Sequence, residues 1–216
     1  MDLLIFDLDG TLIDSRLDLA YSVNATRAHL GLAPLQNELV ISYVGNGAPM
    51  LIRRALGEQA SEAEVLEALE YFLEYYRDHA LDRTRFYPGV REAIERLHAA
   101  GKRLAVLTNK PVKISRSIME GLGAARWFFR IYGGDSFEFK KPNPVGVEAL
   151  RQETGAGREQ TMMVGDSSVD IQTARNAGVR SCGVTYGLQP ESLKNPAPDL
   201  LVDRMEQLAD WVLQDR

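Results

Sequence analysis

LLIFDLDGTL, residues 3–12, is the stretch whose reading decides the fold. Four apolar residues, 3–6, read as a buried strand, and the chain then delivers Asp7 and Asp9 into a Gly-Thr turn. Residues two apart in a strand point the same way. Where the strand ends the backbone can turn instead, swinging Asp9 over the group at which Asp7 aims. Two adjacent carboxylates repel and are not both ionised without a nearby cation. The pair therefore asks for a metal, a proton between the acids, or both. Gly10 supplies the backbone freedom of the tight turn.

Carried on to residue 15, the run LLIFDLDGTLIDS resembles the first signature of the haloacid dehalogenase superfamily. Most of its members are Mg²⁺-dependent phosphatases acting through an aspartyl-phosphate, so the resemblance implies that chemistry and Mg²⁺ as the cofactor.

The chain has 216 residues, enough to bury a full core as one large domain or as a domain with an insertion. At 45% hydrophobic and 25% charged it reads as an ordinary soluble protein. A net charge of −5 lacks the basic excess of a nucleic-acid binder. The lone Cys182 leaves no internal disulfide and fits a reducing, cytoplasmic setting. Asp2 ahead of a short apolar run that is cut off at Asp7 does not read as a signal peptide. No apolar stretch reaches the length that crosses a bilayer, so neither membrane nor nucleic acid is expected as a partner. A monomer or homodimer acting on a small phosphate ester is expected.

Beyond Ser15 the texture turns helical. Apolar residues at helical spacing over 16–30 end at Gly31, a plausible stop. A second helix is expected over 36–44, a break at GNGAP (45–49), and a third helix over 50–56. Ser61-x-x-Glu64 reads as a capping box opening a long amphipathic helix. From residue 84 helices and strands alternate. Strands are expected at 103–107, 131–132, 162–164, 181–184 and 200–202, with helices at 90–100, 111–122, 144–153, 167–177 and 205–213. Such alternation means a parallel sheet covered by helices on both faces. The expected architecture is α/β and Rossmann-like: a core of 1–14 and 84–216, and a helical cap of 15–83 inserted after the first strand.

Ligands of open α/β sheets bind beyond the carboxyl ends of the strands. Those ends carry Asp7 and Asp9, then Thr108 and Asn109 of VLTNK, then Lys141 of KKPNP, then Asp166 and Asp170 of VGDSSVD. Their order matches the superfamily's four motifs, with no departure from the pattern. The resemblance implies Asp7 as nucleophile, Asp9 as acid–base, Thr108 as phosphate-binding hydroxyl and Lys141, directly before Pro142, as the motif's lysine. Lys140 is then a surface residue. Asp7, Asp166 and the Asp9 carbonyl are implied to hold Mg²⁺, with Asp170 outside the direct ligands. The helix after Thr108 is expected to offer backbone N–H groups to the phosphate.

Asp9 argues against a dehalogenase, which has no alkoxide to protonate, whereas mutases share every motif. A phospho-accepting receiver domain also combines acids, a strand-end Thr and a Lys, but is shorter and lacks a helical insertion. Within the superfamily, YVGNGAPMLIRRAL (43–56), TNKP and KKPNP resemble the bacterial phosphoglycolate phosphatases. Asn46 and Gly47, just ahead of a helix start, are the substrate-binding candidates of the cap. A cap closing over the core would turn that helix start toward a substrate carboxylate. Arg53 and Arg54 either join in or stand solvated on their helix.

Overall fold

The computed structural model describes residues 1–214. Its strands are β1 (Leu3–Phe6), β2 (Ile13–Asp14), β3 (Arg85–Phe86), β4 (Arg103–Leu107), β5 (Arg130–Tyr132), β6 (Thr161–Gly165), β7 (Arg180–Val184) and β8 (Leu200–Val202). The helices are α1 (Arg16–His29), α2 (Asn37–Ser42), α3 (Ala48–Leu56), α4 (Glu62–His79), α5 (Val90–Ala99), α6 (Val112–Gly121), α7 (Val145–Thr154), α8 (Ser168–Ala177) and α9 (Met205–Gln214). The chain divides into two compact units, Met1–Asp14 with the chain from Phe86 onward, and Ser15–Arg85.

The first unit is built on six strands in the order β5-β4-β1-β6-β7-β8, parallel at every pairing. All four residues of β1 are fully buried, which explains why its sequence is uniformly apolar rather than alternating. Leu3, Ile5, Ala105, Leu107 and Met163 pack with Val147 and Leu150 of α7 and Ala174 and Ala177 of α8. The intervening strand residues Leu4, Phe6, Val106 and Val164 are equally buried, so the opposite face is covered too. The spacing of Val90, Ala93, Ile94 and Leu97 gives α5 one apolar stripe, and Met205, Leu208, Ala209 and Val212 do the same for α9. The two helices pack on each other.

In the second unit α1 packs against α4. Ser61 caps α4 as its sequence pattern predicts: its N–H donates to Glu64 Oε2 at 2.8 Å, and its hydroxyl accepts from the Glu64 N–H at 3.3 Å. Asp18 is a buried acid that the sequence reading passed over. Its Oδ2 accepts from the N–H groups of Arg83 (3.0 Å) and Thr84 (2.8 Å) and from the Thr84 hydroxyl (2.8 Å). This ties the beginning of the unit to its end.

The helices on either side of the break at 45–49 differ from expectation by two residues. The helix predicted over 36–44 shrinks to α2, and α3 begins two residues early at Ala48, because Pro49 is well suited to a helix's first turn. The pair β2–β3 was not expected, since two residues are too few to show a period. Among the described residues no helix is long and apolar enough to cross a membrane.

Candidate active site

The site follows from the sheet order. β1 lies between β4 and β6, with Phe6 in register with both Val106 and Val164. The residues that follow these three strands must therefore be neighbours, and here the strand order reverses, which is where α/β sheets bind ligands. The Asp7 N–H still donates to Val164 O at 2.9 Å, so this acid leaves from the last rung of the ladder.

Lys141, arriving from the loop after β5, is buried and donates to Asp7 Oδ1 at 2.7 Å and to Asp170 Oδ1 at 2.6 Å. Lys140 is exposed, so the burial falls on the lysine that precedes Pro142. The other oxygen of Asp170 accepts from the Ser167 hydroxyl (2.7 Å) and N–H (3.2 Å), forming the capping box of α8. A helix cap thus fixes an acid, the acid fixes a lysine, and the lysine fixes Asp7.

Asp166 stands at the end of β6, its Oδ2 accepting from the N–H groups of Leu188 (2.6 Å) and Gln189 (3.2 Å). Two glycines make room for it. A Cβ on Gly10 would lie 2.2 Å from Asp166 Oδ2, and Gly10 also has φ +87°. A Cβ on Gly187 would lie 2.2 Å from Asp166 Cβ. Asp9, one turn beyond β1, is gripped by Lys110, whose Nζ donates to its two oxygens at 2.7 and 2.8 Å.

Thr108 and Asn109 are buried beyond β4. The Thr108 N–H donates to Tyr132 O at 3.1 Å, and the Asn109 amide donates to the Lys141 carbonyl at 3.1 Å. One expectation changes at α6. Pro111, at its N-cap, has no N–H, and the Val112 N–H donates to Asp135 Oδ1 at 2.7 Å. The first amide of that helix is thus taken by an acid favoured there by the helix dipole. That donor is not left for a phosphate.

Residues 4–184 match the family model described as haloacid dehalogenase-like hydrolase. The chain belongs to that family. A phosphoglycolate phosphatase of Vibrio parahaemolyticus is 40% identical over 219 residues, covering 97% of this chain and 95% of its own. One from Agrobacterium fabrum is 39% identical over 204 residues, with 93% and 88% covered. Among solved structures, that of a "predicted phosphoglycolate phosphatase" from Haemophilus somnus is 34% identical, with a TM-score of 0.93 and 98% of each chain covered. As a haloacid dehalogenase-like hydrolase the chain is an enzyme.

In this hydrolase the acids outnumber their counter-charges. Asp7, Asp166 and Asp170 bring carboxylate oxygens within 4.8 Å of one another, with Lys141 the ammonium among them. Burial pushes the Asp7 carboxyl up to about 6, opposed by Lys141 and reinforced by Asp170. Burial, then repulsion from Asp170 and Asp7, holds Asp166 well above the ordinary carboxylate range, against the two backbone amides. Burial pulls Lys141 down, but Asp170 and Asp7 more than offset it and hold it above the usual lysine range. Buried carboxylate oxygens short of positive charge are the donor set a hard divalent cation requires.

Asn46 and Gly47 belong to the second unit. Gly47, with φ +88°, is the N-cap of α3 and accepts the Leu51 N–H at 3.1 Å. Arg53 is half-buried and Arg54 exposed, and both are tied to neighbours in their own unit. Arg53 donates to the Ala60 carbonyl at 2.8 Å and pairs with Glu62, and Arg54 donates to the Tyr43 carbonyl at 3.2 Å.

The sequence reading missed three participants. Ser167 was legible as the start of an S-x-x-D cap. Lys110 was legible as a cation one residue past Thr108 and Asn109. Nothing local marks Leu188 and Gln189, because their part is played by backbone amides.

Proposed function

We propose that this hydrolase is a Mg²⁺-dependent phosphatase that cleaves a small phosphomonoester, 2-phosphoglycolate, through a phosphoaspartyl intermediate on Asp7. The observation that carries this reading is the Asp7 carboxylate, bonded to Lys141 through one oxygen, at the end of the central strand among buried acids.

Asp7 attacks phosphorus as the bond to the leaving oxygen breaks. Asp9 gives its proton to that oxygen, then takes one from the water that attacks phosphorus and releases phosphate from Asp7. Acid–base assistance of this kind is worth roughly 10²- to 10⁴-fold. Lys141 holds a fixed positive charge beside the nucleophile, and the Thr108 hydroxyl serves a phosphate oxygen. Asp7, Asp166 and the Asp9 carbonyl would hold Mg²⁺, with Asp170 orienting from outside. The bound ion neutralises charge between the anionic nucleophile and the anionic phosphate.

The Asp9 role has its own test. Asp9→Asn is expected to cripple turnover of alkyl phosphates, whose leaving groups need a proton. The first step with an activated aryl phosphate, which departs unaided, should lose far less. Rapid-quench measurement of Asp7 phosphorylation by each substrate decides it, and equal loss for both would remove the acid role.

The substrate assignment is supported by the relatives of 39–40% identity that are named phosphoglycolate phosphatases. Asn46 and Gly47, ahead of α3, are the residues we assign to recognition of the glycolate carboxylate, since a helix start favours an anion. Phosphoglycolate is expected to exceed neutral phosphate esters of similar size in kcat/KM. Asn46→Ala or Gly47→Val should erode that preference more than activity on an aryl phosphate. A preference for neutral sugar phosphates, or selectivity indifferent to Gly47→Val, would discard the substrate and leave the phosphatase chemistry.

A further inference from the structure

We infer that Lys110 is the positioning residue for Asp9, and that it acts on leaving-group departure through that acid alone. The inference rests on the reading of Asp9 as the acid–base group and assigns a part to a residue that the family motifs, as read here, leave without one.

The two lysines of the site divide the acids between them. Lys141 serves Asp7 and Asp170, whereas Lys110 donates to both oxygens of Asp9, at 2.7 and 2.8 Å. The contact is nearly dry: the side chain of Lys110 is 5% exposed and that of Asp9 12%. An ammonium buried this far stays only where a partner compensates its lost hydration.

The backbone of Lys110 is fixed as well. Its N–H donates to Thr108 Oγ1 at 3.3 Å, and its carbonyl accepts from the Gly134 N–H at 2.9 Å. Gly133 and Gly134 let the chain after β5 press against this turn, since a Cβ on Gly134 would lie 2.4 Å from Asn109 O. Pro111 then sets the next φ. Lys110 therefore reaches Asp9 from an anchored starting point. Asp9 itself sits past the strand, in a turn joined to Ile13 by a single isolated bridge rather than in the sheet.

Each carboxylate oxygen keeps a second lone-pair direction when it accepts from Lys110. Asp9 can thus stay held through one oxygen while the other exchanges a proton with the leaving oxygen or with water. A misplacement of about 1 Å at such a group costs on the order of 10²-fold.

The test uses the full-length Mg²⁺-loaded enzyme and a double-mutant cycle. Lys110→Met is expected to lower kcat/KM for 2-phosphoglycolate roughly 10- to 100-fold while phosphorylation of Asp7 by p-nitrophenyl phosphate changes little. Lys110→Arg, which can still offer two donors to one carboxylate, should recover part of the loss. In the Asp9→Asn background, Lys110→Met should add nothing further. Losses that multiply in the double variant, equal loss for both leaving groups, or a rise in KM alone would each overturn the inference. The last two would make Lys110 a partner of the phosphate or of the distal substrate charge. The Asp9→Asn single variant reports separately. If it shows no leaving-group dependence, the acid reading itself falls, whatever Lys110 does. Should Lys110→Met fail to fold, Asp9→Asn compared with Asp9→Asn/Lys110→Gln removes acid and cation together and carries the same comparison.

Discussion

Asp7→Asn protein is expected to fold and to lose roughly 10⁴- to 10⁶-fold of its turnover, the scale on which an enzyme loses its nucleophile. The amide keeps the volume of the carboxylate but forms no acyl-phosphate. Folding should survive because Lys141 retains Asp170 at 2.6 Å, and because the ionised form of Asp7 is the one that burial disfavours. The metal-free variant is therefore expected to melt no lower than the metal-free parent at pH 7. Single-turnover assays and thermal melts of the two proteins, side by side, check both halves. Activity within about tenfold of the parent would leave no room for a covalent route through Asp7, since such a loss is far below that of a removed nucleophile.

The second large effect is that of the metal. EDTA is expected to abolish activity and Mg²⁺ to restore it, with Asp166→Ala raising the Mg²⁺ requirement sharply or abolishing turnover. Stability gives an independent readout. The Asp7 carboxyl is raised from 3.8 to about 6 in the folded protein, so the stabilising effect of its proton is complete below the lower value. It is lost as pH rises through the upper one. Asp166 shifts in the same direction. The metal-free enzyme should therefore lose stability between pH 4 and pH 6 relative to a protein without these acids. A cation that binds the deprotonated acids supplies most where they are most ionised. Saturating Mg²⁺ should raise the melting temperature more at pH 7 than at pH 5. Full activity in metal-free buffer, with no effect of Mg²⁺ on melting, would mean that the acid cluster serves another purpose.

The sheet was legible because parallel strands buried on both faces must be continuous apolar runs. LLIF at 3–6, LAVL at 104–107 and MMVG at 162–165 are such runs. The site residues were legible for a related reason. Asp7, Thr108 and Asp166 each stand directly after such a run, and strand order alone makes them neighbours. Lys141 was harder, since it arrives on a long loop and was chosen over Lys140 only by its place before Pro142. What stayed hidden depends on contacts between distant segments. The amides of Leu188 and Gln189 reach Asp166, Thr84 reaches Asp18, and Lys110 reaches Asp9 across about a hundred residues of chain (|i−j| = 101). No periodicity encodes such pairs. The α6 start shows the opposite error: a local rule offered a free amide, and Asp135, folded back from the turn after β5, had already taken it.

The central claim, a phosphoryl group carried on Asp7, has one direct measurement. Asp9→Asn enzyme with Mg²⁺ and an activated aryl phosphate should complete the first displacement and stall at the second, where a base is needed. Acid quench, proteolysis and mass spectrometry are expected to find a single phosphoryl group, near stoichiometric, on the peptide containing Asp7. It should disappear when Asp7→Asn is added to the same chain. Phosphorylation of another residue, or an unmodified Asp7 peptide while aryl alcohol is released in a stoichiometric burst, would contradict the mechanism.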